Sequence, residues 1–173
     1  MPRVVANQSE RFQNDDIFQK LSRETEIKYV GYRDRPLEER QLRFQTECRE
    51  GNTSIAFTAT GVNIELVFPK QSDTQTIPPE NVDFYREKDK VFLRSPFIMN
   101  GVCVIFVGWL NIIKLDGVGY IIFDEERAKV EDEIMRETLR KANIKLEEFQ
   151  EKIRSETSEV SFTQAVRPFL RKV

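Results

Sequence analysis

The sequence predicts an α+β protein: a small, partly open β-barrel of about six strands, with helices packed outside it and a further helix at the C-terminus. Three features predict this. Residues 100–109, Asn-Gly-Val-Cys-Val-Ile-Phe-Val-Gly-Trp, are uncharged and crowded with β-branched and aromatic side chains. A helix disfavours that run, and a strand buried on both faces suits it. Residues 54–68 alternate, but the apolar parity switches from Ile55, Phe57 and Ala59 to Val62, Ile64, Leu66 and Phe68 across Gly61. A strand's side-chain period is two, so the switch requires a hairpin or one long strand sharply bent. Finally, the pairs Asn100-Gly101 and Asp116-Gly117 are tight hairpin signals between apolar runs.

The elements follow in chain order. Arg3 sits between Pro2 and Val4, in what reads as a frayed terminus. Phe12, Ile17, Phe18 and Leu21 recur at near-helical spacing, broken by Asn14, Asp15 and Asp16; two short helices fit. Residues 26–30 alternate as a short strand. Pro36, then Glu38 and Glu39, mark a helix start, and Gly51 its stop. Its apolar candidates are Leu37, Leu42, Phe44 and Cys48, with Arg40, Gln41, Arg43 and Arg49 facing water.

Residues 69–81, with Pro78-Pro79, read as a polar loop without a core of its own. Residues 82–85 are a short strand or turn, and 90–94 a strand ended by Ser95-Pro96. After the central run, 110–115 is a further apolar strand, answered by 118–123 across the Asp116-Gly117 turn. Asp124 caps a helix with Glu125 and Glu126 in its first turn, expected to reach about Arg154. The expected organisation is a barrel domain at 1–140, a charged helical extension at 141–154 and a disordered tail at 155–173.

The whole chain limits the function classes. Its 173 residues suffice for one domain with a real core, and thirteen Phe against one Trp point to a phenylalanine-packed interior. A net charge of −2 provides no overall basic field for nucleic acid. With no histidine, the commonest general base is missing. Cys48 and Cys103 lie far apart without metal or redox spacing, and read as reduced thiols of an intracellular protein. No run is long enough to span a membrane, and the N-terminus has no signal-peptide core.

Enzyme readings fare poorly. Asp34, Asp116 and Asp124 each have a local structural task, and Ser95 has no histidine to activate it. Gly117-Val118-Gly119 lacks the strand-to-helix setting of a dinucleotide loop. No catalytic residue, cofactor, metal or small-molecule substrate is expected. Binding readings fare better, because a small barrel binds through one strand face and its loops. Thr60 and Asn63 near Gly61, and Asn100 between Met99 and Gly101, can donate and accept hydrogen bonds, and the glycines admit another backbone. The same residues also suit ordinary turns.

The sequence resembles the core-binding factor beta subunit family, the non-DNA-binding partners of Runt-domain transcription factors. The resemblance rests on the opening Met-Pro-Arg-Val-Val, Leu21-Ser-Arg-Glu24, Glu26-Ile-Lys-Tyr29, Arg33-Asp-Arg-Pro36 and Glu38-Glu-Arg-Gln41. It continues in Ile55-Ala-Phe57, Ala59-Thr-Gly61, 100–105, Gly108-Trp109, Leu115-Asp-Gly117 and 123–128. These occur in the family's order over about residues 1–130. The resemblance implies a barrel related to the oligonucleotide-binding fold that does not touch DNA, docked on a Runt domain as a heterodimer. It implies an interface centred on Gly61, Asn63 and Asn100, with Arg3, Val4, Thr60, Ile64, Val67, Met99 and Gly101 around them.

Val67 stands where the family pattern carries a polar glutamine, and the 69–81 loop is shorter than in vertebrate members. Residues past Ala142 fall outside the resemblance. The expected role is transcription coactivation, in the nucleus with a cytoplasmic pool. Two rival readings are a barrel binding single-stranded nucleic acid directly and a scaffold acting through the long charged helix.

Overall fold

The computed structural model describes residues 3–170, with side chains through residue 157. Met1, Pro2 and residues 171–173 lie outside the described residues, so the expectations for the opening Met-Pro and the last of the tail fall there. The elements are α1 (Gln8–Asn14), α2 (Asp16–Leu21), β1 (Thr25–Tyr29), α3 (Leu37–Glu50), β2 (Asn52–Phe57), β3 (Val62–Val67) and β4 (Val82–Asp83). They continue with β5 (Lys90–Met99), β6 (Val102–Asn111), β7 (Asp116–Phe123) and α4 (Glu125–Leu170). Two compact units divide the chain, the first ending at Glu131 and the second beginning at Asp132.

All the strands join one antiparallel sheet in the order β3-β2-β1-β7-β6-β5-β4. The sheet curls until its flanks meet at one point. There the Ser95 hydroxyl of β5 donates to the Val67 carbonyl of β3 at 2.8 Å and accepts from the Val67 N–H at 3.1 Å. This makes the barrel partly open, as the sequence predicts, with seven strands once the two-residue β4 is included. Phe18, Phe44, Phe57, Phe68 and Phe106 are fully buried in its core. Burying each such ring is worth about 1.5–3 kcal/mol relative to exposure.

The parity switch at Gly61 resolves as a hairpin, with Phe57 paired to Val62. Asn100-Gly101 forms the β5–β6 hairpin between Met99 and Val102. Both residues have positive φ, 49° and 78°, as a two-residue type I′ turn needs. Asp124 caps α4 by accepting from the Arg127 N–H at 3.1 Å.

Several expectations change. β5 runs on through Pro96 to Met99. Past Leu93 no strand ladder among the described residues flanks it opposite β6, so a residue without an N–H is tolerated there. The β6–β7 reversal falls at 112–115 rather than at Asp116-Gly117, and Gly117 pairs with Leu110. A Cβ at Gly117 would collide with the Trp109 carbonyl oxygen, so close approach of strands, not a turn, is what requires glycine.

Trp109 is not in the core. It pairs with Phe92 on the outer face, half-buried, with the Lys90 ammonium 4.0 Å from its ring centre. Leu37 and Leu42 are exposed. Arg40 instead turns inward, its guanidinium donating to the carbonyls of Gly31 and Tyr29. Gln41 donates to the Ile113 carbonyl.

Helix α4 continues past Arg154 to Leu170. No glycine follows Gly119, and the first proline after it is Pro168, so no strong helix breaker lies in between.

Candidate functional site

The residues singled out by sequence fall into two groups. The first is the β2–β3 hairpin. The Gly61 N–H donates to the Phe57 carbonyl at 2.8 Å and closes the turn at φ 71°. Thr60 is half-buried beside Ala59, and the two line a groove with Ile17 and Lys20 of α2. Along β3 the alternation is clean. Asn63, Glu65 and Val67 point out, and Leu66 and Ile64 point in, Ile64 only 8% exposed. Ile64 therefore supports the hairpin from beneath and does not offer its side chain to solvent. Val67 does, at 56% exposure, while its N–H and carbonyl are both taken by Ser95.

The second group is the β5–β6 turn with the N-terminal segment laid against it. The Val5 N–H donates to the Gly101 carbonyl at 2.8 Å. Val4 is buried, so the N-terminus is docked rather than frayed at this point. Arg3 pairs with Glu131 of the first turns of α4 at 3.8 Å. Met99 is half-buried and Asn100 exposed. Arg3, Val4, Met99, Asn100 and Gly101 are thus one contiguous patch.

Strand directions relate the two groups. In the antiparallel order, β3 begins and β5 ends at the same end of the sheet, so both turns lie at that end. Between them run two edges without a ladder: β3, and β5 beyond Leu93. An edge without a ladder is where another strand can add, except at Val67 and at the Arg94 N–H, which Ser95 and the Asn81 carbonyl already engage.

The residues of the two groups are mostly uncharged. The groups with displaced pKa values lie elsewhere. Burial, then the bond it donates to Glu47 at 2.9 Å, pushes the Tyr29 hydroxyl above its ordinary range. Burial raises the Cys48 thiol likewise. Among the described residues, no group of three or more His, Cys, Asp or Glu is arranged to hold a metal ion. No helix there is long and apolar enough to cross a membrane.

Two supporting residues escaped the sequence reading. Ser95 fastens the barrel seam, and its neighbour Pro96, an edge-strand signal, was the available hint. Gln8 is buried; its amide donates to the Ala128 carbonyl at 3.3 Å, and its oxygen accepts from the Cys103 N–H at 2.9 Å. Nothing in its sequence setting announces this.

A family model described as "Core binding factor beta subunit" matches residues 1–163, extending beyond the stretch in which the sequence resemblance was traced. The chain is 47% identical over 151 residues to "Protein big brother" of Drosophila melanogaster, covering 87% of this chain and 70% of that protein. It is 45% identical over 148 residues to "Protein brother" of the same organism, covering 86% and 69%.

Proposed function

The chain belongs to the core binding factor beta subunit family, and from that premise we propose that it is the non-DNA-binding member of a heterodimer with a Runt-domain transcription factor, whose DNA affinity it raises. The observation carrying this reading is the pair of exposed turns at one end of the sheet, beside two open strand edges. Asn100 and Asn63 provide amides that satisfy a partner's backbone. Gly61 lets that backbone approach, since an added Cβ there meets no atom within 4 Å. Thr60, Met99 and Gly101 border the contact, Val67 adds an apolar one, and Arg3, Val4 and Ile64 hold the turns in place.

The mechanism is linkage. If the subunit binds the DNA-competent Runt-domain conformation better than others, it raises DNA affinity by that differential, and DNA raises its own affinity equally. Such couplings are typically ~1–3 kcal/mol. No DNA contact is needed, in keeping with the net charge of −2. The complex is nuclear and the unbound subunit partly cytoplasmic, entering with its partner; an isolated chain that is nuclear in cells lacking Runt proteins would oppose that route.

The rival reading, direct binding of single-stranded nucleic acid, needs open aromatic faces ringed by free cations. The outer face carries Phe92 and Trp109, but Arg86 and Lys90 already stack on them. Lys90 is paired with Glu87 at 2.9 Å and Arg86 lies 3.9 Å from Asp83.

Two measurements test the proposal. Calorimetric titration of a purified Runt domain should show Asn100→Ala weakened by ~1–3 kcal/mol, with near-normal thermal unfolding. Unchanged affinity would mean the surface is misassigned. In a gel shift, the Runt domain should hold its DNA site more tightly with the chain added, and the chain alone should shift nothing. No gain in affinity would end the reading.

A further inference from the structure

The second compact unit presents a face that the proposed heterodimer does not use. Along α4, Met135, Leu139, Ala142, Leu146, Phe149 and Ile153 follow one another at alternating steps of four and three residues. The four steps from Leu139 to Ile153 cover two whole heptads, the repeat of a supercoiled helix seam. Leu139, Leu146, Phe149 and Ile153 are 49%, 54%, 60% and 45% exposed. The stripe is about 27 Å long at 1.5 Å per residue, and Phe149 is an aromatic anchor of the kind that dominates interfaces.

The charges around the stripe are sorted. With Leu139, Leu146 and Ile153 at the a positions, the flanking e and g positions are Arg136, Asn143, Gln150, Thr138, Lys145 and Lys152. The carboxylates of this stretch, Glu133, Glu137, Glu147, Glu148 and Glu151, all fall at b, c and f, away from the seam. Among the described residues, Arg136, Lys145 and Lys152 have no carboxylate partner. Charges at e and g select the partner and its direction. In a parallel pair with a second copy, Lys145 meets Gln150 and Lys152 meets Thr157, and only Arg136 meets a carboxylate, that of Glu131, which Arg3 of its own chain already engages; in an antiparallel pair the g positions face each other and lysine meets lysine or threonine. A helix with glutamates at its own e and g positions offers opposite charge along the seam.

We infer that α4 between Met135 and Ile153 is one strand of a coiled coil whose other strand is an acid-flanked helix of a different protein.

The test uses the full chain and two synthetic peptides of about four heptads, both with Leu at a and d, one with Glu and the other with Lys at e and g. Binding is read by fluorescence anisotropy at about 0.1 M salt. The Glu peptide should bind at least about tenfold tighter than the Lys peptide, and the gap should shrink at about 1 M salt. Lys145→Glu with Lys152→Glu should reverse the preference, with helix content by circular dichroism unchanged. Leu146→Asp with Phe149→Asp should abolish binding of both peptides and leave Runt-domain affinity as it was. Equal affinity for the peptides, or a preference that survives the charge reversal, overturns the inference. So does sedimentation showing the chain to be a dimer that Leu146→Asp dissociates, since the occupant is then a second copy.

Discussion

Gly61 and Gly101 close the two turns at the same end of the sheet, and both have positive φ, 71° and 78°. Their surroundings differ. A Cβ at Gly101 would come within 2.7 Å of Val5 Cγ1 and 3.1 Å of the Val5 nitrogen, whereas at Gly61 it would meet nothing within 4 Å. Gly101 is glycine because the chain's own N-terminal segment presses against it. Gly61 is glycine because of its backbone angle alone, and the space above it is open. One turn is braced from inside; the other is held only by its hairpin.

Substitutions can break or sharpen this contrast. Gly101→Ala should have the largest effect, combining left-handed strain with a collision, about 2–4 kcal/mol of lost stability in urea unfolding. Adding Val5→Ala should recover part of it; no recovery would mean the N-terminal segment does not brace the turn. Next comes Ser95→Ala, which strips Val67 of both its backbone partners and should cost ~1–3 kcal/mol. It should also speed amide exchange at Val67. Gly61→Ala should be mildest, about 1 kcal/mol from the backbone angle. Its loss of Runt-domain affinity should exceed its loss of stability. A larger stability loss at Gly61 than at Gly101 would invert the comparison.

Much of the frame was legible in the sequence because its signals are local. The Asn100-Gly101 pair, the parity switch at Gly61 and the Asp124 cap each fix a dihedral or a hydrogen bond within a few residues. What was not legible depends on contacts distant in sequence. Trp109 closes a continuous apolar run, where alternation cannot say which face points inward. Asp116-Gly117 has the composition of a turn, but Gly117 answers to the Trp109 backbone on the neighbouring strand. Arg40 looks like a solvated helix residue until the carbonyls of Tyr29 and Gly31 arrive beneath it. At the candidate site, Asn63, Asn100 and the glycines could be picked out from turn chemistry and from family resemblance. The inward side of Ile64 follows from the parity already noted. The docking of Val4 and Val5 on Gly101 could not be read, because short apolar residues at a terminus carry no periodicity.

Gln8 ties α1 to the strand at Cys103 and to the helix at Ala128, beside the turn that Val5 supports. A shortened version of the chain beginning after α1 would lose that clasp and the brace together, so its weak grip on any partner would report a slackened scaffold. Affinity comparisons across fragments of this protein are therefore meaningful only when the opening residues are kept.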